Sequence, residues 1–285
     1  MAKISDLLAA GRTTSYEFFP PKSEAAAKAL DDALEDLTSL EPTFVSVTYG
    51  ALGTTRAPTR DLVIRIDDER PFPAMPHLTC VGQTRDDLLV LLDEYRAAGI
   101  ENVLALAGDP PADGGEAVGD FTFATELIEL ARSVGDFSVG VAAFPDVHPR
   151  SPDRATDRRF LAAKLDLADF GMTQFFFDAA HYRRMGDEFD ALGCTTPILP
   201  GVMPFVSVAG TLRMAAVNHC EVPDALLARM EAVDGDPEAV RRLGVEVASE
   251  LCTELLADGV PGLHIYAMNR STSIREVYAN LGWLD

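Results

Sequence analysis

MTQFFFDAAHYRRMGDEFDALGCTTPILPGVM, residues 172–203, is the stretch on which the reading of the fold turns. Residues 172–178 form a short apolar run, 180–192 spread apolar side chains at helical spacing, and 196–203 form a second apolar run. Strand, helix, strand in that order makes a crossover unit, and the two strands of a crossover unit lie parallel in one sheet.

Working outward, the same alternation recurs along the chain. Strands are expected at 15–20, 44–50, 75–82, 102–108, 137–145, 172–178, 196–203 and 262–268. Helices are expected at 23–40, 59–69, 84–98, 122–134, 154–169, 180–192, 208–219 and 272–281. Ser23 stands as an N-cap after Pro20-Pro21, and Thr84 and Gly99 bracket residues 84–98. Eight strands at about 36 residues per unit predict an α/β fold, a single (β/α)8 TIM barrel with an extra helical insertion at 223–259 before the last strand. An open doubly wound sheet is the alternative for such a pattern, and eight regular recurrences favour closure. No repeat, low-complexity tract or Pro/Gly linker divides the chain, so one domain over residues 1–285 is expected.

The chain is 47% hydrophobic, which supplies ample core, and 45 Asp+Glu against 24 Lys+Arg give a net charge of -21. That surplus of negative charge excludes nucleic acid and anionic membrane as partners, because both need a basic surface. An anionic small molecule would need the few cations gathered where it binds. Cys80, Cys194, Cys220 and Cys252 show no zinc spacing and read as buried thiols, and no metal is predicted. The N-terminal residues carry Asp6 just before a short apolar stretch and have no signal-peptide core, and no apolar run reaches membrane-spanning length. A cytoplasmic location is expected.

A (β/α)8 barrel builds its site at the C-terminal ends of its strands. Glu17, Thr48, His77, Asp109, Gln174 and Arg270 fall there, as do Asp146, His148, Asp178 and Asn269. Glu17 lies in Ser15-Tyr16-Glu17-Phe18-Phe19-Pro20-Pro21, between two rings that would desolvate it and raise its proton affinity, as a general acid requires. A strand-end glutamate paired with a basic neighbour is the plainer reading. Asp109 follows Ala107-Gly108 and precedes Pro110-Pro111, where an acid either meets a ligand or simply forms a turn. Gln174 is a lone amide in an apolar strand and must find hydrogen bonds, from a ligand or from the protein. His77 and His148 lack a second histidine at metal spacing and read as ordinary hydrogen-bonded residues. The glycines from Gly108 to Gly115 match no phosphate-binding fingerprint.

Tyr16-Glu17-Phe18-Phe19-Pro20-Pro21, Phe44 to Gly50, Pro76 to Cys80, Ala105 to Asp109, Pro145 to Pro149, Thr173 to Asp178, Pro200 to Pro204 and Tyr266 to Arg270 occur in that order. Together they make the chain resemble the methylenetetrahydrofolate reductase family over nearly its whole length. The resemblance implies reduction of 5,10-methylenetetrahydrofolate to 5-methyltetrahydrofolate. It implies Glu17 as the acid that protonates N10, Asp109 facing the pterin or its developing cation, and Gln174 orienting the pterin. Tyr49, Tyr266 and Arg270 fall with them on the substrate side, while Thr48, His77, Phe144 and Lys164 match cofactor-contacting positions.

The departures concern the flavin. Where typical members read Arg-Gly-Asp this chain has Ala107-Gly108-Asp109, and Phe160-Leu161-Ala162-Ala163-Lys164 stands where they carry Asn-Leu-Lys-Arg-Lys. Three basic positions are gone, and each lost charge-assisted hydrogen bond to a diphosphate costs about 1.5–3 kcal/mol. Phe144 keeps a ring but lacks the hydroxyl of the tyrosine often found there. The expectation is therefore that FAD is absent or weakly bound and that NADH, or NADPH, passes its hydride straight to the folate. NADH is preferred because the family's bacterial members commonly use it. An ordinary FAD-dependent enzyme working by ping-pong chemistry is the alternative. A barrel glycosidase using Glu17 and Asp109 would want tryptophan platforms, and the single tryptophan is Trp283. A non-catalytic folate binder would not need Glu17 as a proton donor. The sequence allows a homo-oligomer and fixes no oligomeric state.

Overall fold

The computed structural model describes residues 2–49, 56–108 and 118–284. Eight parallel strands close into one barrel in sequence order: β1 (Thr13–Phe18), β2 (Phe44–Val47), β3 (Ala74–Thr79), β4 (Asn102–Leu106), β5 (Ser138–Ala143), β6 (Phe170–Phe175), β7 (Ile198–Val202) and β8 (Gly262–Tyr266). The ring is joined where β1 pairs with β8, Ser15 opposite His264 and Glu17 opposite Tyr266. This is the predicted (β/α)8 barrel. The first strand ends earlier than expected, because Pro20 and Pro21 cannot donate to a ladder.

Around the strands lie α2 (Glu24–Thr38), α3 (Arg56–Glu69), α4 (Arg85–Ala97), α5 (Ala124–Val134), α6 (Arg154–Leu165), α7 (Ala179–Leu192), α8 (Val208–Val217), α9 (Asp224–Val233), α10 (Pro237–Ala257) and α11 (Thr272–Asn280), after a short α1 (Ile4–Ala10). Ser23, Thr84, Asp153, Asp178 and Ser207 each accept a backbone N–H as N-caps, so polar residues at the strand-to-helix turns set where the helices begin. The insertion before β8 is present as two helices, α9 and α10, but it is α10, rather than α8, that packs on the wall between β7 and β8. Val245, Ala248, Leu251 and Leu255 of α10 pack with Val202 of β7 and Leu263 of β8, making α10 a regular outer helix. The extra layer is α8 with α9, whose Val208, Ala215, Leu226 and Met230 pack on Phe205 and on Val240, Leu243 and Val247 of α10.

Side chains alternate across the wall. Tyr16, Phe18, Val45, Val47 and Leu78 face the helices in the main outer core. Phe44, Met75, Leu104, Phe170, Met172 and Leu199 fill the barrel interior. A Cβ on Gly140 would lie 2.6 Å from the Phe170 ring, so β5 needs glycine there to admit that ring. The floor is closed by α1, which the sequence reading did not anticipate. Ile4 is fully buried in the interior cluster, its N–H donates to Asn102 Oδ1 at 2.7 Å, and the N–H of Ser5 donates to Ser138 Oγ at 3.1 Å. Among the described residues no helix is long and apolar enough to cross a membrane.

Candidate active site

Above that apolar fill the mouth of the barrel is polar. Glu17 enters it from β1 with a side chain 15% exposed. Its Oε2 lies 3.5 Å from His77 Nε2 of β3 and 3.4 Å from His264 Nε2 of β8. The far nitrogen of His264, Nδ1, is 2.8 Å from Ser15 Oγ, and Ser15 Oγ also reaches the carbonyl of Leu263. Ser15, His264 and Glu17 thus form a line in which one proton can be shared between the carboxylate and the imidazole that Ser15 positions. Ser46 Oγ, His77 Nε2 and Thr79 Oγ1 are buried without a hydrogen-bond partner on the β2–β3 side of the mouth. Buried polar atoms of this kind are unusual in a folded core; the hydroxyls of Tyr16, Tyr49, Tyr95 and Tyr278 share the condition in the outer core, and the group at the mouth is the one beside Glu17.

The ionisation of Glu17 differs from the expectation drawn from its neighbours in sequence. Burial pushes its proton affinity up, but the opposing charge of His77 and the hydrogen bond from His264 outweigh it, and the net direction is below the ordinary carboxylate value. The rings of Tyr16 and Phe18 are not the cause of its burial, since both lie on the other face of β1. Burial also holds His77 below the ordinary imidazole range. Before a ligand arrives the carboxylate is ionised and clasped by imidazole.

On the opposite side Gln174 ends β6. Its Nε2 donates to Asn218 Oδ1 at 2.9 Å, and its Oε1 accepts from Tyr266 at 3.0 Å and from the N–H of Phe175 at 3.0 Å. Asn218 is itself tied to the end of α8 by donating to the Met214 carbonyl. Tyr266 is half-buried with its phenol turned inward, which pushes it well above the ordinary value, so it acts as a fixed donor. Asn269 adopts a left-handed φ of 54° and clamps Phe19, accepting from its N–H at 2.9 Å and donating to its carbonyl at 2.8 Å. The segment just after Glu17 is fixed by this clamp.

Phe144 at the end of β5 packs edge-on against His148, ring centres 4.7 Å apart. Lys164 of α6 donates to the Ala142 carbonyl at 2.7 Å, and burial pulls its pKa down to about 8. Asp157 is 4% exposed and is consumed internally by Arg158, Ser151 and the N–H of His148. Thr48 follows β2, with its N–H bonded to the Phe18 carbonyl. Tyr49 is 8% exposed within the outer cluster that holds Leu62 and Tyr95, so it is not brought to Glu17. Arg270 is exposed and makes no ion pair among the described residues. Asp109 lies outside the described residues. The residues that sequence reasoning missed are His264, Ser15 and Asn218. His264 and Ser15 each sit two positions before a residue already singled out, Tyr266 and Glu17, so strand alternation alone puts them on the same face.

The family model described as "Methylenetetrahydrofolate reductase" matches residues 3–282. The 5,10-methylenetetrahydrofolate reductase of Pectobacterium carotovorum is 34% identical, covering 94% of this chain and 89% of that protein. That of Escherichia coli is 33% identical over 94% of this chain and 90% of its own length.

The chain belongs to the methylenetetrahydrofolate reductase family. It is an oxidoreductase that acts on methylenetetrahydrofolate. The Arabidopsis thaliana protein named methylenetetrahydrofolate reductase (NADH) 1 is 35% identical over 99% of this chain, and the chain spans 50% of that protein's length. A solved structure titled as an uncharacterized Clostridium thermocellum protein binding two copies of 5-methyl-5,6,7,8-tetrahydrofolic acid superposes with a TM-score of 0.65 at 15% identity, covering 97% of this chain and 96% of that one. At that identity the likeness speaks for the barrel alone. For a methylenetetrahydrofolate reductase, the mouth offers a hydrogen-bonded carboxylate and imidazole on β1 and β8 and a pinned amide on β6, linked through Tyr266 of β8.

Proposed function

We propose that this protein reduces 5,10-methylenetetrahydrofolate to 5-methyltetrahydrofolate with a hydride taken directly from NADH, with the whole barrel as the catalytic unit. The observation that carries the reading is the Ser15–His264–Glu17 line, a carboxylate whose proton can pass to an imidazole held in place by Ser15. The substrate's bridge between N5 and N10 must open before a hydride can add. Glu17 gives a proton to N10, the C–N10 bond breaks, and an N5 iminium forms. A pterin lying over the mouth removes water from Glu17 and strengthens the burial effect, so the carboxyl takes up its proton on binding, through His264. Gln174, held by Asn218 and Tyr266, hydrogen-bonds the pterin edge, and Asp109 supplies negative charge to the iminium. The hydride from the dihydronicotinamide converts the iminium to the methyl group, leaving NAD+. Arg270 remains free to meet an anionic part of a ligand.

The residues present do not fit FAD well. Ala107, Ala162 and Ala163 offer no donor, Phe160 is 69% exposed on α6, Lys164 is spent on a backbone carbonyl, and Asp157 is sealed from ligands. No step is routed through a flavin. NADH is preferred to NADPH because the plant relatives from Arabidopsis and rice carry NADH in their names. The test is an absorbance spectrum of the purified protein followed by anaerobic NADH oxidation with methylenetetrahydrofolate and no added flavin. A colourless protein that turns over, and that carries deuterium from [4-²H]NADH into the product methyl without loss to solvent, supports direct transfer. A yellow protein, or activity dependent on added FAD, overturns it in favour of the flavoenzyme.

A further inference from the structure

A second cluster of chemically able side chains lies outside the Glu17 mouth, on the rim formed by the β5–α6 turn, the start of α7 and the connection between α8 and α9. A cavity of about 630 Å³ opens there, and Asp146, His181, Cys220 and Glu221 share its wall with Arg154 and Arg184. His181 Nδ1 is 2.7 Å from Asp146 Oδ1, and its Nε2 is 3.8 Å from Glu221 Oε2. One donor atom of each of the three residues lies within 4.8 Å of the others. The Glu221 N–H also reaches Asp146 Oδ2 at 3.3 Å, which draws the two carboxylates together.

The charges in this wall do not cancel locally. Arg154 and Arg184 are both drawn to Glu188, with Nε to Oε1 distances of 2.6 and 3.3 Å. Among the described residues neither Asp146 nor Glu221 pairs with a lysine or arginine, and the two share one imidazole. The half-buried Cys220 thiol lies in the same wall, next to Glu221 in sequence. An imidazole nitrogen and two carboxylate oxygens, with a thiol at hand, are the donor types of a borderline divalent ion. Ligand atoms of a tetrahedral ion lie about 3.3 Å apart, so His181 Nε2 and Glu221 Oε2 at 3.8 Å are near that spacing, while Asp146 has to exchange its hydrogen bond to Nδ1 for the ion, the rest of the shell being water in the cavity.

We propose that Asp146, His181 and Glu221 form a binding site for a divalent ion of the zinc and cobalt class, tying the β5–α6 turn and α7 to the α8–α9 connection. The site is independent of the reading given above for Glu17. It stands three residues from Asn218, so a bound ion fixes the connection that holds the Gln174 amide.

The test uses the full chain stripped with EDTA and titrated with Co²⁺ by visible absorption and with Zn²⁺ by competition against a chromophoric chelator. One equivalent per chain is expected, with d–d bands of four- or five-coordinate cobalt and a rise in melting temperature. Glu221→Gln, on a side chain 69% exposed, and His181→Ala should each weaken binding about tenfold or more while melting like the wild type in EDTA. Glu17→Gln should leave the equivalent intact. Binding that survives both Glu221→Gln and His181→Ala, binding lost instead in Glu17→Gln at the other imidazole cluster, or no binding below millimolar metal overturns the proposal.

Discussion

The two ends of the barrel are built from similar residue types and are treated differently. At the floor Asn102 and Ser138 are buried polar residues of β4 and β5, and both are answered by α1. At the mouth Ser46 and Thr79 are equally buried with their hydroxyls unpartnered, and His77 Nε2 has only the long 3.5 Å contact to Glu17. A buried polar atom left unmade costs about 1–3 kcal/mol, so the mouth holds in reserve free energy that a ligand with matching donors and acceptors recovers. The floor spends Asn102 and Ser138 on stability, with Thr13 Oγ1 left unpartnered at the start of β1, and the mouth keeps more of its polar groups for binding.

That contrast can be broken most sharply at Glu17. Glu17→Gln keeps shape and hydrogen-bonding capacity and removes the proton donor, so kcat should fall about 10²–10⁴-fold with folate affinity retained. A turnover within twofold of wild type in steady-state NADH oxidation would remove the acid role. The reverse substitution in kind is Ile4→Ala at the floor, which should cost about 2–5 kcal/mol in urea denaturation while kcat below the melting range stays unchanged. If activity fell in step with the buried methyl groups, the two ends would not be separable.

Smaller effects sharpen the picture. Asn218→Ala leaves Gln174 Nε2 without its partner and should raise the folate KM about tenfold with less change in kcat, from the 1–3 kcal/mol cost of an unpaired amide. A pure kcat effect would point to chemistry instead. Ser15→Ala removes the partner that fixes the tautomer of His264 and should move the pH–rate profile while the melting temperature holds. The smallest change is in stability against pH. His77 and Glu17 both bind protons more readily in the unfolded chain, because both are held below their ordinary values of 6.5 and 4.5 in the native state. Stability they contribute is present above those values and is lost as pH falls, through His77 first and Glu17 later. Melting curves from pH 7.5 to 4 should show the loss, and His77→Gln should flatten its upper part.

Much of the barrel was legible because each strand is a short apolar run closed by proline, glycine or a capping residue, and those signals are local. The floor helix was not, since Lys3 precedes it without a side-chain cap and its seven residues gain their order from Asn102 and Ser138 far along the chain. Glu17 was legible as a polar residue at a strand end. Its ionisation was not, because the neighbouring rings alternate to the outer face and the groups that set its charge come from β3 and β8. The same limit hid His264, whose partnership with Ser15 depends on the β1–β8 register rather than on any sequence pattern.

That register has a consequence for how the protein comes into being. Ser15 and His264 are 249 positions apart, and β8 is the last strand of the ring. A growing chain can assemble seven strands, their helices and the floor, yet the carboxylate has no complete proton line until the final strand docks against the first. Long-range closure of this kind is the slow, entropically costly step of a barrel. Competence for proton transfer is therefore acquired at the end of folding and all at once, and a chain stalled before residue 262 holds Glu17 without the imidazole of His264.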